Sequence, residues 1–551
     1  LAVAVSSFVA VNRTEAAAAL FPAVVAWIFF RGAACGWIPR DFLVEKGLVL
    51  VAATGVLFSG YGICQALGAD FLSLGRERQA VSTVGNTNYA GALSAAFGVV
   101  GAALALFHRD RKTRILGDVA GGVGALHVAL SKSLAGLLGF GAGAVLLAIL
   151  ALRGSRSRTA VALIAVLAAV AFAPFAERSL ARAGDIARGQ DKTSQVRLGL
   201  WKGTLRLAAA HPVLGCGAGN FRMAFPPFRD AVERRLSHEG RGVSYVEAED
   251  PHNTWLKVLS ESGPIALLAL LGAGLLALAA AARSPEGADR NLAIAGAAGL
   301  VTLAVSGTFN SLSGHLPFAI LAGLFAGFAA PVPEAEGASR PPWVRAAVIL
   351  GAAFLALAPW PWFIADARYR DAMHTSKPDE RLAHAQAAVS ALPGHWRARF
   401  QIAIAWRAVG MSEGTVRAEL RDILEVHPHH VPALIALSEG APGPEEERLL
   451  RQAEEIAPEF APIQKRLSWL DRERGDYASV RRRLGRALAS SPDDADALYS
   501  MGRMWLLEGK RDEALPWIRR AASANPAIRE RLGKDHPELR SDARFADLIG
   551  P

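Results

Sequence analysis

Charge is scarce in this chain. Only 20% of its 551 residues are Asp, Glu, Lys or Arg, while 52% are hydrophobic and the mean hydropathy is positive; a soluble domain of this size ordinarily shows more charge and less apolar residue. The balance is that of a membrane protein. Cysteine is nearly absent: Cys35, Cys64 and Cys216 have no paired spacing, which excludes both a disulfide framework and a metal knuckle. An initiating methionine is missing too. The chain opens at Leu1 inside the apolar stretch LAVAVSSFVAV, so it is expected to be a fragment lacking its N-terminus, and no targeting signal can be judged there. The net charge of +10 does not point to nucleic acid, because the basic residues sit in short clusters between apolar segments, where they set membrane topology.

What is abundant is apolar sequence in runs of the length a bilayer demands. A hydrocarbon core about 30 Å thick needs about 20 residues of helix. Complete candidates fall near 14–30, 47–67, 89–107, 115–131, 134–152, 159–175, 255–281, 291–309, 314–331 and 344–364, with Leu1 to Val11 as a truncated first span, giving eleven crossings. Lys and Arg collect in the loops 31–46, 108–114, 153–158, 283–290 and 336–345. The span count puts all five on one side, which the positive-inside tendency makes cytoplasmic. The loops 68–88 and 176–254, and everything after Ala365, are then outside, which in a bacterium is the periplasm.

The expected architecture is all-α: a polytopic bundle over 1–365, then a helical-repeat domain over 366–551. In that second part Pro393, Pro428, Pro458, Pro492 and Pro526 recur at intervals of 35, 30, 34 and 34 residues, close to the period of a tetratricopeptide repeat. The unit 493–526 places small and aromatic residues, among them Ala497, Tyr499, Gly502, Ala514 and Pro526, as such a repeat does. Helix pairs of this kind bury their faces only by stacking into a solenoid, whose concave face takes a partner, protein or glycan, unless its role is spacing alone.

Loop 176–254 is far longer than an ordinary helix connection, and long loops tend to be functional. Its first piece, 194–212, sets Arg197, Lys202 and Arg206 among leucines and Trp201 at helical spacing, like a helix lying in the membrane interface. Arg197 and Trp201 are one turn apart and share a face. The second piece, VLGCGAGNFRMAFPPF, lacks the G-x-G-x-x-G spacing and a preceding strand, which excludes a dinucleotide turn; its glycines suit tight turns where the chain passes another segment or a ligand. The third, EDPHNTW, puts His252 and Asn253 at the start of the next span. A histidine there either caps a helix end or serves chemistry. Asp250 and Glu249 either orient that imidazole or are solvated loop charges. Within the spans, Asp118 and His127 are ionisable, and such groups are functional candidates by default; Lys132, at an outer turn, either meets a phosphate or snorkels.

Four stretches together resemble the O-antigen ligase and polymerase superfamily of polytopic glycosyltransferases: VSTVGNTNYAGAL (81–93), LSKSLAGLL (130–138), R-x3-W followed by HPVLGCGAGNF (197–221), and HNTWLKVLSESGPIALL (252–268). The resemblance covers about residues 70–330, and members often carry appended tetratricopeptide repeats. It implies transfer of a glycan from an undecaprenyl-pyrophosphate carrier, at the outer face of the inner membrane, to an acceptor hydroxyl on a lipid, glycan or protein. Arg197 would hold the pyrophosphate, since a guanidinium binds phosphate oxygens bidentately and stays charged. A second arginine of the family precedes G-N-x-N-Y, where this chain offers Arg76 and Arg78. His252 would be the base for the acceptor hydroxyl, worth about 10²- to 10⁴-fold, with Asn253 orienting chain or substrate. Asn86, Asn88, Lys132, Trp201, Gly217, Gly219 and Asn220 would complete the substrate site. The outside loops hold no D-x-D pair, so neither a metal nor another cofactor is expected, and the displacement would invert the sugar centre. A secondary transporter is the competing class; it would place charges near the bilayer midplane, where this chain has few.

Overall fold

The computed structural model describes residues 1–73, 79–151, 185, 188–238, 245–331 and 357–549. All regular elements among them are helices, the form in which a segment satisfies its own backbone inside lipid. They group into two compact units, Leu1–Phe221 with Glu249–Trp360, and Arg222–Ala248 with Pro361–Pro551. The middle of the long loop thus belongs with the C-terminal helices, a grouping no sequence pattern announced.

In the first unit six helices are long and apolar enough to cross a bilayer by length and composition: Arg13–Ala34, Arg40–Ala66, Thr87–Phe107, Leu134–Ala151, Thr254–Arg283 and Ala288–Gly307. Each coincides with an expected span. Leu316–Ala329 is apolar but shorter, and Arg111–Ser131 matches the six in length. Leu1 to Val11 forms a short helix, Ala2–Ser6, and one turn of 3-10 helix. The span 159–175 and most of 344–364 lie outside the described residues.

The helices start where short polar side chains can take up their orphan amides. Asn12, Asn86, Asp110, Asp191 and Asn253 each accept from backbone N–H groups of the following turn. Thr87–Phe107 is the centre of the bundle, with 94% of its membrane-length window buried against 17% for Thr254–Arg283, so the latter presents leucines outward. Small residues permit that burial: a Cβ on Gly124 would come within 2.8 Å of the Gly98 Cα. His127 is fully buried there. Its Nε2 donates to the Ala80 carbonyl at 3.3 Å, so Nδ1 accepts from the Ser94 hydroxyl at 2.7 Å, which in turn accepts from Ser59 at 2.9 Å. A polar group so satisfied is stable in the interior.

The C-terminal unit is built of consecutive helix pairs. Their first helices start at Trp396, Val431, Ala461 and Ala495, spaced by 35, 30 and 34 residues, the intervals of the proline series. The short interval has a local cause: Val431–Ser438 is an 8-residue helix where its counterparts have 13. Gly502 lets a pair close, since its Cβ would sit 2.6 Å from the Ile518 Cγ1.

Loop residues 222–248 are anchored in this unit by charge as well as packing. Arg229 and Glu233 form a bidentate pair at 2.9 and 2.8 Å, both side chains almost fully buried. The Met223 carbonyl accepts from His429 Nδ1 at 2.8 Å. Tyr245 and His238 set their rings against Phe460. Glu247 lies 3.2 Å from His427 Nε2 and 3.8 Å from His430 Nε2, with Arg222 at 3.6 Å. Burial pushes the Glu247 carboxyl up, but those histidines and Arg222 outweigh it and hold it at about 2. Burial dominates at His430, whose ring is held at about 3.

Candidate functional site

The helix Thr254–Arg283 is broken at Gly263, whose φ is +80°. Pro264 follows, and because proline has no N–H the Ser260 carbonyl loses the donor it would have four residues on. The glycine-rich turn repairs the break. Cys216 N–H donates to the Ser260 carbonyl at 2.8 Å and Gly217 N–H to that of Glu261 at 3.1 Å. Gly215, at φ +68°, must be glycine for this seat: a Cβ there would stand 2.4 Å from the Glu261 carbonyl carbon. Beyond the break about 20 residues remain to Arg283, enough to cross the bilayer.

The same turn is clasped from its other side. Asn220 is buried; its Oδ1 accepts from Asn12 N–H at 2.7 Å and its Nδ2 donates to the Asn12 carbonyl at 3.1 Å. Gly217 and Gly219 press against the backbone of Ala10 and Glu15. Glu261 accepts from Lys257 Nζ at 2.8 Å and from Phe221 N–H at 3.3 Å. Burial pushes the Cys216 thiol far above its ordinary value, with Glu261 adding to the effect, so this cysteine is an inert packing group.

The amphipathic piece forms the helix Lys192–Ala210, capped by Asp191. It lies against Thr254–Arg283, and Trp201 Nε1 donates to the Pro251 carbonyl at 3.1 Å. Arg197, half-buried, is one turn earlier on the same helix. The two ends of the long loop therefore meet at Trp201 and Pro251, with His252 the next residue. His252 stands at φ +50° with an exposed side chain, between buried Pro251 and buried Asn253. Asn253 Oδ1 caps the helix by accepting from Leu256 N–H at 3.0 Å.

A second loop completes the site. The turn after Ala288–Gly307 docks on the His252 segment: Thr254 Oγ1 donates to the Asn310 carbonyl at 2.8 Å and accepts from Leu312 N–H at 2.9 Å, and Ser311 Oγ donates to Asp250 at 2.6 Å. His315, from the same turn, packs against Tyr89 with ring centroids 4.3 Å apart and the rings tilted by 52°. Burial lowers the His315 ring below its ordinary value, with Asp250 and Lys257 acting in opposite senses. Tyr89 belongs to the first turn of Thr87–Phe107, where Asn86 Oδ1 accepts from Asn88 N–H at 2.8 Å and from Tyr89 N–H. Lys132 is exposed at the end of the next helix, at φ +55°, and its neighbour Ser133 donates to the Asn88 carbonyl at 3.4 Å.

Trp201 thus meets Pro251 beside His252 and Asn253, turn 308–315 ties that segment to Tyr89 beside Asn86 and Asn88, Lys132 is next to Ser133 on the Asn88 carbonyl, and Arg197 shares the Trp201 helix. Gly217, Gly219 and Asn220 build the turn behind it, their polar atoms directed to the backbone. Arg76 and Arg78 lie outside the described residues. Sequence reasoning missed Ser311 and His315. The signal was the polar run TFNSLSGH between two apolar segments on the side of the long loop.

Residues 119–271, which include Lys132, the Lys192–Ala210 helix, the glycine-rich turn and His252, match the family model described as O-Antigen ligase (Wzy_C). No curated protein matches the chain. A solved structure titled "Crystal structure of MamA protein" aligns over 32% of this chain and 93% of its own at 14% identity, with a TM-score of 0.24, an overlap too slight to bear on the fold. The chain is a multi-pass, all-α membrane protein whose residues 119–271 are similar to the O-antigen ligase family.

Proposed function

We propose that the protein transfers a glycan from undecaprenyl pyrophosphate to an acceptor hydroxyl at the periplasmic face of a bacterial inner membrane, with the repeat unit also periplasmic. The observation that carries this reading is the Trp201–Pro251 hydrogen bond of 3.1 Å, which joins the Arg197 helix to the His252 segment. Arg197 holds the pyrophosphate, with Lys132 and the amide-rich start of Thr87–Phe107 offering further positive potential. Arg76 and Arg78 are assigned to the same anion by the family resemblance. His252 takes the acceptor proton as the new glycosidic C–O bond forms; the bond from the sugar carbon to pyrophosphate breaks, and its electron pair leaves on the lipid pyrophosphate. Attack opposite the leaving group inverts that carbon. No metal is called on; the outside loops hold no D-x-D pair.

The test is transfer by the full chain in lipid bilayers, supplied with an undecaprenyl-pyrophosphate glycan and lipid, glycan or protein acceptors in separate arms. Arg197→Ala and His252→Ala are each expected to lower the rate at least 10²-fold, the low end for a lost base or charge clamp. Parental rates in both would overturn the assignment, and the arm that yields product separates ligase, polymerase and protein glycosylation.

A further inference from the structure

One oxygen of Asp250 takes two hydrogen bonds and faces the His252 ring. Its Oδ1 accepts the His252 backbone N–H at 2.7 Å, lies 3.2 Å from the His252 ring Nδ1, and accepts the Ser311 hydroxyl at 2.6 Å. We propose that Asp250, held from the facing turn by Ser311, is the positioning residue of the His252 imidazole. The proposal rests on the reading of His252 as the base.

The backbone argues for a placed ring. A residue other than glycine at φ +50° carries strain of about 1–2 kcal/mol, and it persists where neighbours over-determine it. Here Pro251 is tied through its carbonyl to Trp201, and Asn253 caps the following helix. The ring itself is exposed while both neighbours are buried. Asp250 is charged in this setting: burial pushes its carboxyl up, but His252, Lys257 and the Ser311 hydroxyl outweigh that and hold it below the usual carboxylate range. Around it stand Lys257 from the broken helix and His315 from the facing turn. A carboxylate on Nδ1 keeps the proton on that nitrogen and leaves Nε2 bare to accept another. It also steadies the imidazolium formed in the transition state, as in acid–histidine arrangements of other enzymes.

The test uses the full chain in bilayers, with kcat and donor KM measured for each variant. Asp250→Asn is expected to lower kcat about 10- to 100-fold with donor KM unchanged. A loop tie alone would raise donor KM or lower the melting temperature and leave kcat in place. Asp250→Glu restores part of kcat. If Asp250→Asn lowers the melting temperature enough to unfold the protein, Ser311→Ala carries the test with a smaller fall in kcat. His252→Ala separates the two ideas: should it keep the parental rate, the base assignment fails, whereas its collapse beside an Asp250→Asn or Ser311→Ala enzyme with parental kcat overturns the positioning role alone.

Discussion

Replacing Gly215 by alanine strikes the seam between the long loop and the broken helix, and its size can be worked out. The residue sits at φ +68°, where an L side chain costs about 1–2 kcal/mol. The new Cβ would lie 2.4 Å from one backbone atom and 2.6 Å from two carbonyl oxygens, of Glu261 and Ser260, none of which belongs to a flexible side chain. The turn must lift. Lifting lengthens the two hydrogen bonds donated by Cys216 N–H and Gly217 N–H, and two interior carbonyls lose their donors at about 1–3 kcal/mol each. The sum is about 3–8 kcal/mol. Thermal unfolding in detergent would show it as a fall of roughly 5 °C or more. Gly272→Ala is the control, because it lies in the same helix and a Cβ there meets nothing within 4 Å; it is expected to hold or slightly raise the melting temperature. A Gly215→Ala protein melting within a degree of the control would refute the account of the repaired break.

Two further outcomes concern the C-terminal unit. Glu233→Gln strands the buried Arg229 charge and is expected to destabilise by about 3–5 kcal/mol, while Arg229→Met with Glu233→Met costs much less; equal losses in denaturant titrations of the two would contradict a buried pair. Acidification acts through His430. Its ring is held at about 3 by burial against an ordinary value of about 6.5, so between those values the unfolded chain binds the extra proton and stability falls as pH drops. The slope is up to about 1.4 kcal/mol per pH unit below pH 6.5, Glu247 adding to it only under more acidic conditions. Melting temperatures should therefore decline from pH 7 to pH 5, and His430→Gln should flatten that decline; a flat parental curve counts against a buried neutral histidine.

The parts of this molecule that repeat or run long were legible in its sequence. Apolar runs coincide with helices because lipid imposes both length and composition, and the proline interval of 30 residues reads out directly as the shortened helix Val431–Ser438. The caps were not: Asn86 and Asn253, assigned to the substrate site from the resemblance, accept backbone N–H groups at helix starts. What escaped was pairing across distance. Ser311 meets Asp250 from 61 positions away, and a lone serine in a polar turn carries no periodicity. The glycines of 215–219 were visible as a tight turn, but the carbonyls they serve are exposed only by Pro264, 49 residues from Gly215. Asn220 reads as a ligand-binding side chain in sequence and spends its hydrogen bonds on Asn12.

The division of the long loop between two units has a consequence for biosynthesis. Glu247 leaves the ribosome 180 residues ahead of His427, a lead of roughly 10–40 s at ordinary elongation rates. Throughout that interval the membrane helices can insert while segment 222–248 has no surface to rest on. A chain released before His427 would keep the bilayer-crossing helices yet leave Glu247 without either imidazole, so maturation of the loop waits on the last quarter of translation.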